Sequence, residues 1–206
     1  MKGRHRYVEA LATAEKLRAR LRSFCERIEI AGSLRRRCET VGDIELVAVP
    51  KQRTIEGLFG QVQIEGTWLD DHLEKYPDIY RQMRSGERMK ELMFEGYQVD
   101  LFLTTPERWG VTFTLRTGSA DFSKWLVSPR TEGGARLPYR FVKDCRVWEW
   151  GKSAPLDTPE EADVFAALGV PWVPLEKRDR GYWSGTPHPA SPLKGRGEEG
   201  KARDYV

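Results

Sequence analysis

Two short apolar segments, joined by a polar and basic link, constrain the fold of this chain more than any other feature. The first, residues 28–31, stops at Gly32, and the second, residues 44–49, is rich in β-branched residues and stops at Pro50. Runs of this length bounded by glycine or proline are typical of β-strands. Glycines at both ends of the link, Gly32 and Gly42, allow tight turns there. The pattern predicts two strands joined by a positively charged connection.

Two carboxylates stand at the start of the second strand. Asp43 and Glu45 are two residues apart, and because side chains on a strand alternate between faces, both point the same way. Carboxylate oxygens suit Mg²⁺, whose other positions substrate phosphates and water complete. In the link, Ser33 and Arg36 offer a hydroxyl and a guanidinium to phosphate oxygens. The combination indicates divalent-cation and phosphate chemistry, whereas an isolated Asp-x-Glu pattern more often marks a solvated sheet face.

These residues, in this order and spacing, resemble the signature of the polymerase β nucleotidyltransferase superfamily. The whole stretch 31–44, Ala-Gly-Ser-Leu-Arg-Arg-Arg-Cys-Glu-Thr-Val-Gly-Asp-Ile, is similar to family X DNA polymerases in particular. Larger members of that family carry an N-terminal lyase domain and helix-hairpin-helix modules before this point. We therefore expect a compact form that lacks them.

A third carboxylate, Asp100, lies in an otherwise apolar segment. Residues 88–95 and 97–104 predict two strands that meet at Gly96. Burying an aspartate inside such a strand without a partner costs free energy. A hydrogen-bond partner, or exposure to solvent at the edge of the sheet, would avoid this cost. The resemblance to family X implies instead that Asp100 joins the two earlier carboxylates and completes a triad.

The sequence Thr-Gly-Ser at 117–119 follows a helix predicted to open at Pro106. It resembles the point in family X where the palm is followed by the C-terminal subdomain that selects the nucleotide. The resemblance implies that Gly118 and Ser119 lie near the nucleotide sugar. Ser123 stands where many members have an asparagine that reaches the base edge.

The chain departs from the family at Leu115 and Arg116. Better-known members carry an aromatic pair here, which packs against the sugar of the nucleotide. Arg116 faces either a phosphate or solvent, and of the two we favour solvent.

The remaining segments follow simpler patterns. We predict an amphipathic helix over 4–26, an irregular stretch over 51–78 with a short helix at 68–75, two strands over 139–142 and 146–150, a helix with Thr158 as its N-cap that ends at Gly169, and a disordered tail over 184–206.

Composition sets wider limits. The 206 residues carry a formal net charge of +3, which is too small to argue for nucleic acid by itself. There is no apolar run near the roughly 18 residues of a membrane span and no apolar segment typical of a signal peptide. The three cysteines are scattered and match no zinc spacing, so we expect reduced thiols and a cytoplasmic location.

The expected fold class is α+β (mixed α/β). A nucleotidyltransferase palm with a small mixed sheet and flanking helices is assigned to residues 1–110. A small, β-rich, nucleotide-selecting subdomain is assigned to 111–180, and the tail to 181–206. The resemblance covers about 28–49 and 87–176.

The resemblance implies DNA-directed DNA polymerisation, that is, metal-dependent nucleotidyl transfer to a primer 3′-hydroxyl in gap-filling repair. Implied partners are gapped or primer–template DNA and nucleoside triphosphates, and the implied cofactor is a pair of Mg²⁺ ions, with Mn²⁺ as a substitute. We expect a monomer. The implied catalytic and metal-binding residues are Asp43, Glu45 and Asp100. The implied nucleotide- and phosphate-binding residues are Gly32, Ser33, Arg36, Gly42, Gly118, Ser119 and Ser123.

Two other functions stay open. The superfamily includes template-independent transferases that act on RNA ends or other acceptors, although the C-terminal sequence resembles family X. A non-catalytic nucleic-acid-binding remnant is the third possibility, although such a protein has no reason to keep three mutually repelling acids.

Selection against ribonucleotides should be weaker here than in a family member that has the aromatic pair, because Leu115 and Arg116 leave the sugar without that packing. The measurement is the ratio of incorporation efficiencies for matched deoxy- and ribonucleotides. Equal ratios in this protein and in an aromatic-pair homologue would contradict the expectation.

Overall fold

The computed structural model describes residues 4–57 and 60–179. The fold is mixed α+β, as the sequence predicted. The predicted tail, 181–206, lies outside the described residues. The helices are α1 Tyr7–Leu21, α2 Gly32–Arg35, α3 Trp68–Lys75, α4 Trp109–Thr117, α5 Ala120–Val127 and α6 Glu161–Leu168. The strands are β1 His5–Arg6, β2 Cys25–Ile30, β3 Thr40–Val41, β4 Ile44–Pro50, β5 Gln52–Gly57, β6 Gly60–Thr67, β7 Arg81–Ser85, β8 Met89–Phe94, β9 Tyr97–Leu103, β10 Arg140–Lys143 and β11 Arg146–Glu149.

A five-stranded sheet with the order β2-β4-β9-β8-β7 forms the centre of the molecule. Strands β4 and β9 are parallel, and the other neighbours are antiparallel. A parallel pair needs a long crossover connection, and here the chain supplies it with β5, β6, α3, β7 and β8. The two predicted strands that carry the carboxylates are therefore adjacent, although more than 45 residues separate Asp43 from the start of β9.

Strand β4 is buried on both faces, which explains its continuous apolar sequence. On one face, Leu46 belongs to the main core with Leu17 of α1 and Leu101 of β9. On the other face, Val47 packs with Trp109 from α4. The sheet is thus covered by α1 and α3 on one side and by α4 on the other.

Helix α4 also contributes to a second apolar core. Val111 of α4 packs there with Phe122 of α5, Val147 of β11 and Phe165 of α6. The proposed boundary near residue 110 falls inside α4, which contacts the sheet through one part of its surface and the second core through another. The division into two subdomains stays a prediction.

The prediction of irregular structure for 51–78 is wrong in its first part. Strands β5 and β6 form an antiparallel hairpin in which Ile55 is opposite Val62. Both side chains are about half exposed, so the hairpin buries little and its sequence lacks a strong alternating pattern. Strand β7 was not predicted for the same reason, whereas helix α3 has its predicted bounds.

Two helix boundaries also differ from the predictions. Helix α1 begins only at Tyr7, because His5 and Arg6 pair with Val41 and Thr40 as a short ribbon. Helix α6 is capped by Glu160 in a capping box with Asp163, and not by Thr158, which is buried. No helix in the described ranges is long and apolar enough to cross a membrane.

A buried ion network joins α2 to the C-terminal part of the chain. Glu161 accepts hydrogen bonds from Arg35 at 2.5 Å and from Arg178 at 2.7 Å. Arg178 is fully buried and also donates to the carbonyl of Val173. Burial alone would raise the pKa of Glu161, but the hydrogen bond from Arg35 and the charge of Arg178 hold this pKa below its ordinary value.

Replacing Glu161 by Ala should reduce the free energy of unfolding by about 3–5 kcal/mol, because the fully buried guanidinium of Arg178 and the partly buried one of Arg35 lose their common partner. Urea denaturation measures the effect. Glu15→Ala is the control, since Glu15 pairs with Arg18 on the exposed surface of α1 and its loss should cost less than about 1 kcal/mol. Equal costs for the two variants would show that the network is not a major source of stability.

Candidate active site

The parallel register places two of the predicted carboxylates side by side. Glu45 on β4 is directly opposite Asp100 on β9, and Val47 is opposite Phe102. Because Val47 and Phe102 pack under α4, Glu45 and Asp100 lie on this same sheet face. Asp43 immediately precedes β4, and its charge acts on Glu45. We call this surface of the sheet the carboxylate face.

A further acid, Glu91 on β8, lies opposite Asp100 on the other side of β9. Directly paired residues in an antiparallel ladder share a face, so Glu91 also belongs to the carboxylate face. The sequence analysis did not select Glu91. The register of the hairpin around Gly96 was the signal that could have identified it, because Glu91 and Asp100 are about equally far from that turn.

The side chain of Glu45 lies against the backbone of Gly32. A methyl group built on Gly32 would be 1.7 Å from one carboxylate oxygen of Glu45, so only glycine fits here. Gly32 also has a φ of +59°, which favours glycine. The close approach explains why the link between β2 and β4 must begin with glycine.

Burial and like charges weaken the ionisation of Glu45. Burial is the largest cause, followed by repulsion from Asp43, while Arg36 acts in the opposite sense. Asp100 adds further repulsion, and together these effects raise the pKa of Glu45 to about 7. A cation bound among these carboxylates would relieve the repulsion.

The predicted phosphate-binding residues lie in and after α2, which follows β2 directly. Gly32 and Ser33 form the first turn of α2, and Arg36 follows its last residue. Arg36 donates to the carbonyl of Thr117 at 2.7 Å and to a carboxylate oxygen of Asp179 at 3.3 Å. The Arg36 side chain is only 9% exposed.

One donor of Arg36 stays unpaired within the described chain. Its Nε is buried and has no hydrogen-bond partner among the described residues. Burying an unpaired donor is costly, so a ligand oxygen would be a favourable partner. Gly42, the last predicted residue of this group, borders space that the described residues leave open.

The Thr-Gly-Ser segment is brought to this turn by hydrogen bonds. Arg35 donates to the hydroxyl of Thr117, and Arg36 donates to its carbonyl. Ser119 is the N-cap of α5, where its hydroxyl accepts from the N–H of Phe122. The two halves of the predicted nucleotide site are therefore in contact.

Two predicted nucleotide contacts also have structural uses. The hydroxyl of Ser123 donates to the carbonyl of Leu115 at 2.7 Å, which joins α5 to α4. A side chain on Gly118 would meet the ring of Phe122 at 2.2 Å. The sequence alone did not indicate these roles, and the nucleotide contacts stay predictions.

The residues present fit a divalent cation by their chemistry. Three carboxylates, two of them in adjacent register, provide hard oxygen donors and repel one another. Among the described residues, no three acidic, histidine or cysteine side chains are already arranged to hold a metal ion.

Comparison with known proteins finds likeness in both sequence and fold. DNA polymerase lambda of Rattus norvegicus is 26% identical to the chain over 166 residues, a match that covers 72% of this chain and 28% of the relative. The chain thus spans well under half of that relative's length. No protein-family model matches the sequence of this chain.

A solved structure of Leishmania infantum polymerase beta, in a ternary P/T complex, has a TM-score of 0.65 to this fold at 16% identity. The match covers 86% of this chain and 77% of that chain. The fold is therefore that of polymerase β. Both the sequence and the fold of this chain are therefore similar to those of family X DNA polymerases, as the motifs predicted.

Replacing Gly32 by Ala should destabilise the protein mainly by displacing the carboxylate of Glu45. In the wild-type background we expect a loss above the roughly 1–2 kcal/mol that left-handed backbone strain costs. In a Glu45→Ala background the clash with the carboxylate is removed, so only the backbone strain and a tight contact with the remaining Cβ, at 3.0 Å, should persist. A double-mutant cycle by urea denaturation measures the difference.

Gly42→Ala is the matched control, since no described atom lies within 4 Å of the added methyl group. If Gly32→Ala has the same cost with and without the Glu45 carboxylate, the close approach is not what requires glycine at this position.

Proposed function

We propose that this chain is a metal-dependent nucleotidyltransferase that adds deoxynucleotides to a primer 3′-hydroxyl, as a DNA-directed DNA polymerase acting in gap-filling repair. The observation that carries this proposal is the register of β4 and β9. It puts Glu45 beside Asp100 on one sheet face, with Asp43 just before β4, and the predicted phosphate-binding residues follow β2 directly.

The likeness to polymerases supports the proposal. The relative is named as a DNA polymerase and the solved structure as a polymerase beta, and the two matches cover 72% and 86% of this chain. Because the match covers a minor part of the relative, its whole activity is proposed for this chain and not inferred from the name.

The carboxylates would bind the divalent cations of the reaction, a pair of Mg²⁺ ions or Mn²⁺ in their place. Such cations supply electrostatic stabilisation of the attacking and leaving oxygens of an in-line displacement. The sheet order β2-β4-β9 places Asp100 one strand further than Glu45 from the turn that follows β2. We therefore assign Asp100 to the primer side, and Asp43 and Glu45 to the nucleotide side.

The turn after β2 would bind the triphosphate. The Ser33 hydroxyl and the unpaired Nε of Arg36 are donors for phosphate oxygens. Gly42 adds a backbone N–H. Because Arg36 also holds Thr117, binding at this turn would be transmitted directly to Gly118 and Ser119, which we place near the nucleotide sugar.

Asp100→Ala should reduce primer extension by at least about a hundredfold, because it removes a carboxylate that would hold the cation on the primer side. Nucleotide binding should be largely retained, since Asp43, Glu45 and the turn are intact. The measurement is extension of a 5′-labelled primer on gapped duplex, open template and single strand, with Mg²⁺ or Mn²⁺. Asp78→Asn, at an exposed position in a turn, is the control for a lost charge.

Each result has a distinct meaning. Template-matched addition that Asp100→Ala abolishes supports the polymerase function, and a preference for gaps supports repair. Untemplated addition to RNA ends or other acceptors would instead support a template-independent transferase. Substantial extension by Asp100→Ala would contradict the assigned role of this residue, and binding of nucleic acid without any transfer would indicate a non-catalytic protein.

A further inference from the structure

Arg116 lies on the carboxylate face and not in bulk solvent, the environment that the sequence favoured. It belongs to the last turn of α4, and its guanidinium stacks on the ring of Phe102 with a distance of 4.0 Å to the ring centre. Phe102 is buried and follows Asp100 by two positions on β9, so both side chains share a face. The guanidinium therefore stands next to the carboxylates.

The hydrogen-bond donors of Arg116 are not used by the described protein. Within residues 4–57 and 60–179, no hydrogen bond or close ion pair involves its guanidinium, which is half-buried. The neighbouring arginines differ from it. Arg35 and Arg36 donate to Thr117 and to acidic side chains, and Arg27 donates two hydrogen bonds to Glu160.

The nearby carboxylates attract the guanidinium of Arg116 but form no ion pair with it in the described chain. Its charge lowers the pKa of Glu45, but burial, the largest cause, and repulsion from Asp43 and Asp100 outweigh this effect. No carboxylate oxygen lies within ion-pair distance of Arg116 in the described chain. The ring of Phe102 holds the guanidinium in place, and a planar group held in this way loses little freedom when it binds an anion.

We propose that Arg116 is a substrate-binding residue, whose guanidinium donates hydrogen bonds to a phosphate group of the substrate bound at the carboxylate face. The inference rests on the proposed function and deepens it. The phosphate belongs either to a nucleoside triphosphate or to the backbone of DNA. An aromatic residue, which the resemblance would place at this position, lacks a positively charged guanidinium.

Binding measurements test this without requiring catalysis. One arm titrates nucleoside tri-, di- and monophosphates in the presence of Ca²⁺, and the other titrates labelled gapped duplex at several salt concentrations. The variants are Arg116→Ala, Arg116→Lys and Phe102→Leu, with Arg22→Ala, which removes an exposed arginine next to α1, as the charge control. Thermal unfolding shows whether each variant is folded.

We expect Arg116→Ala to lower the affinity for either the nucleotide or the DNA by about tenfold, which is the usual effect of losing a hydrogen bond to a charged group. If the partner is the triphosphate, the loss should fall as phosphates are removed from the nucleotide. If the partner is DNA, the salt dependence should decrease by about one phosphate contact. Arg116→Lys should recover part of the affinity, Phe102→Leu should give a smaller loss, and Arg22→Ala should leave nucleotide binding unchanged.

The inference is overturned if Arg116→Ala binds both ligands within about twofold of the wild type. It is also overturned if this variant binds nucleotide more tightly, because Arg116 would then only compete with cations for the carboxylates. Wild-type protein that binds both ligands but extends no primer would contradict the proposed function while leaving Arg116 as a phosphate contact.

Discussion

The parallel pairing of β4 with β9 is the constraint on which the rest of the structure depends. It brings together two strands that are distant in the sequence, and its register decides that Glu45 and not a neighbouring residue lies beside Asp100. A shift by one residue would turn one carboxylate toward the main apolar core. Because β4 is buried on both faces, such a shift would also expose apolar side chains, so packing fixes the register that the site requires.

Placing several carboxylates together on the carboxylate face costs free energy, and the surrounding structure offsets this cost. Burial, together with repulsion from Asp43 and Asp100, disfavours ionisation of Glu45, and its carboxylate needs the room that Gly32 leaves. The Arg35–Glu161–Arg178 network joins α2, which begins at Gly32, to α6. Carboxylates that repel one another in the absence of a cation gain free energy when a cation binds among them, because the repulsion is then relieved. A cation-binding site therefore needs surrounding structure that holds its acids close together.

The same arginines connect the two ends of the site. Arg35 and Arg36 are consecutive and both donate to Thr117, so hydrogen bonds join the turn after β2 to the Thr-Gly-Ser segment. Arg116 precedes Thr117 and is held on Phe102 of the carboxylate face. A charged ligand that binds to Arg36 or Arg116 would therefore also interact electrostatically with the neighbouring arginine side chains.

The sequence by itself determined the fold class, the two carboxylate-bearing strands, helix α3 and the turn between β2 and β4. These elements have strong local signals, namely apolar runs ended by glycine or proline and carboxylates at strand spacing. It did not determine the β5–β6 hairpin or β7, because exposed strands bury too little to leave an alternating pattern. Nor did it determine the capping of α6 by Glu160, because the sequence pattern predicted Thr158 as the N-cap.

Only the tertiary structure decided which distant residues meet. The sequence gives no local reason for Glu91 to lie beside Asp100, for Glu161 to bind both Arg35 and Arg178, or for Arg116 to stack on Phe102. These contacts depend on strand register and on the packing of α4 over the sheet, which are set by burial across the whole chain. Local sequence patterns thus specified the chemistry available to the protein, and long-range packing specified how that chemistry is arranged.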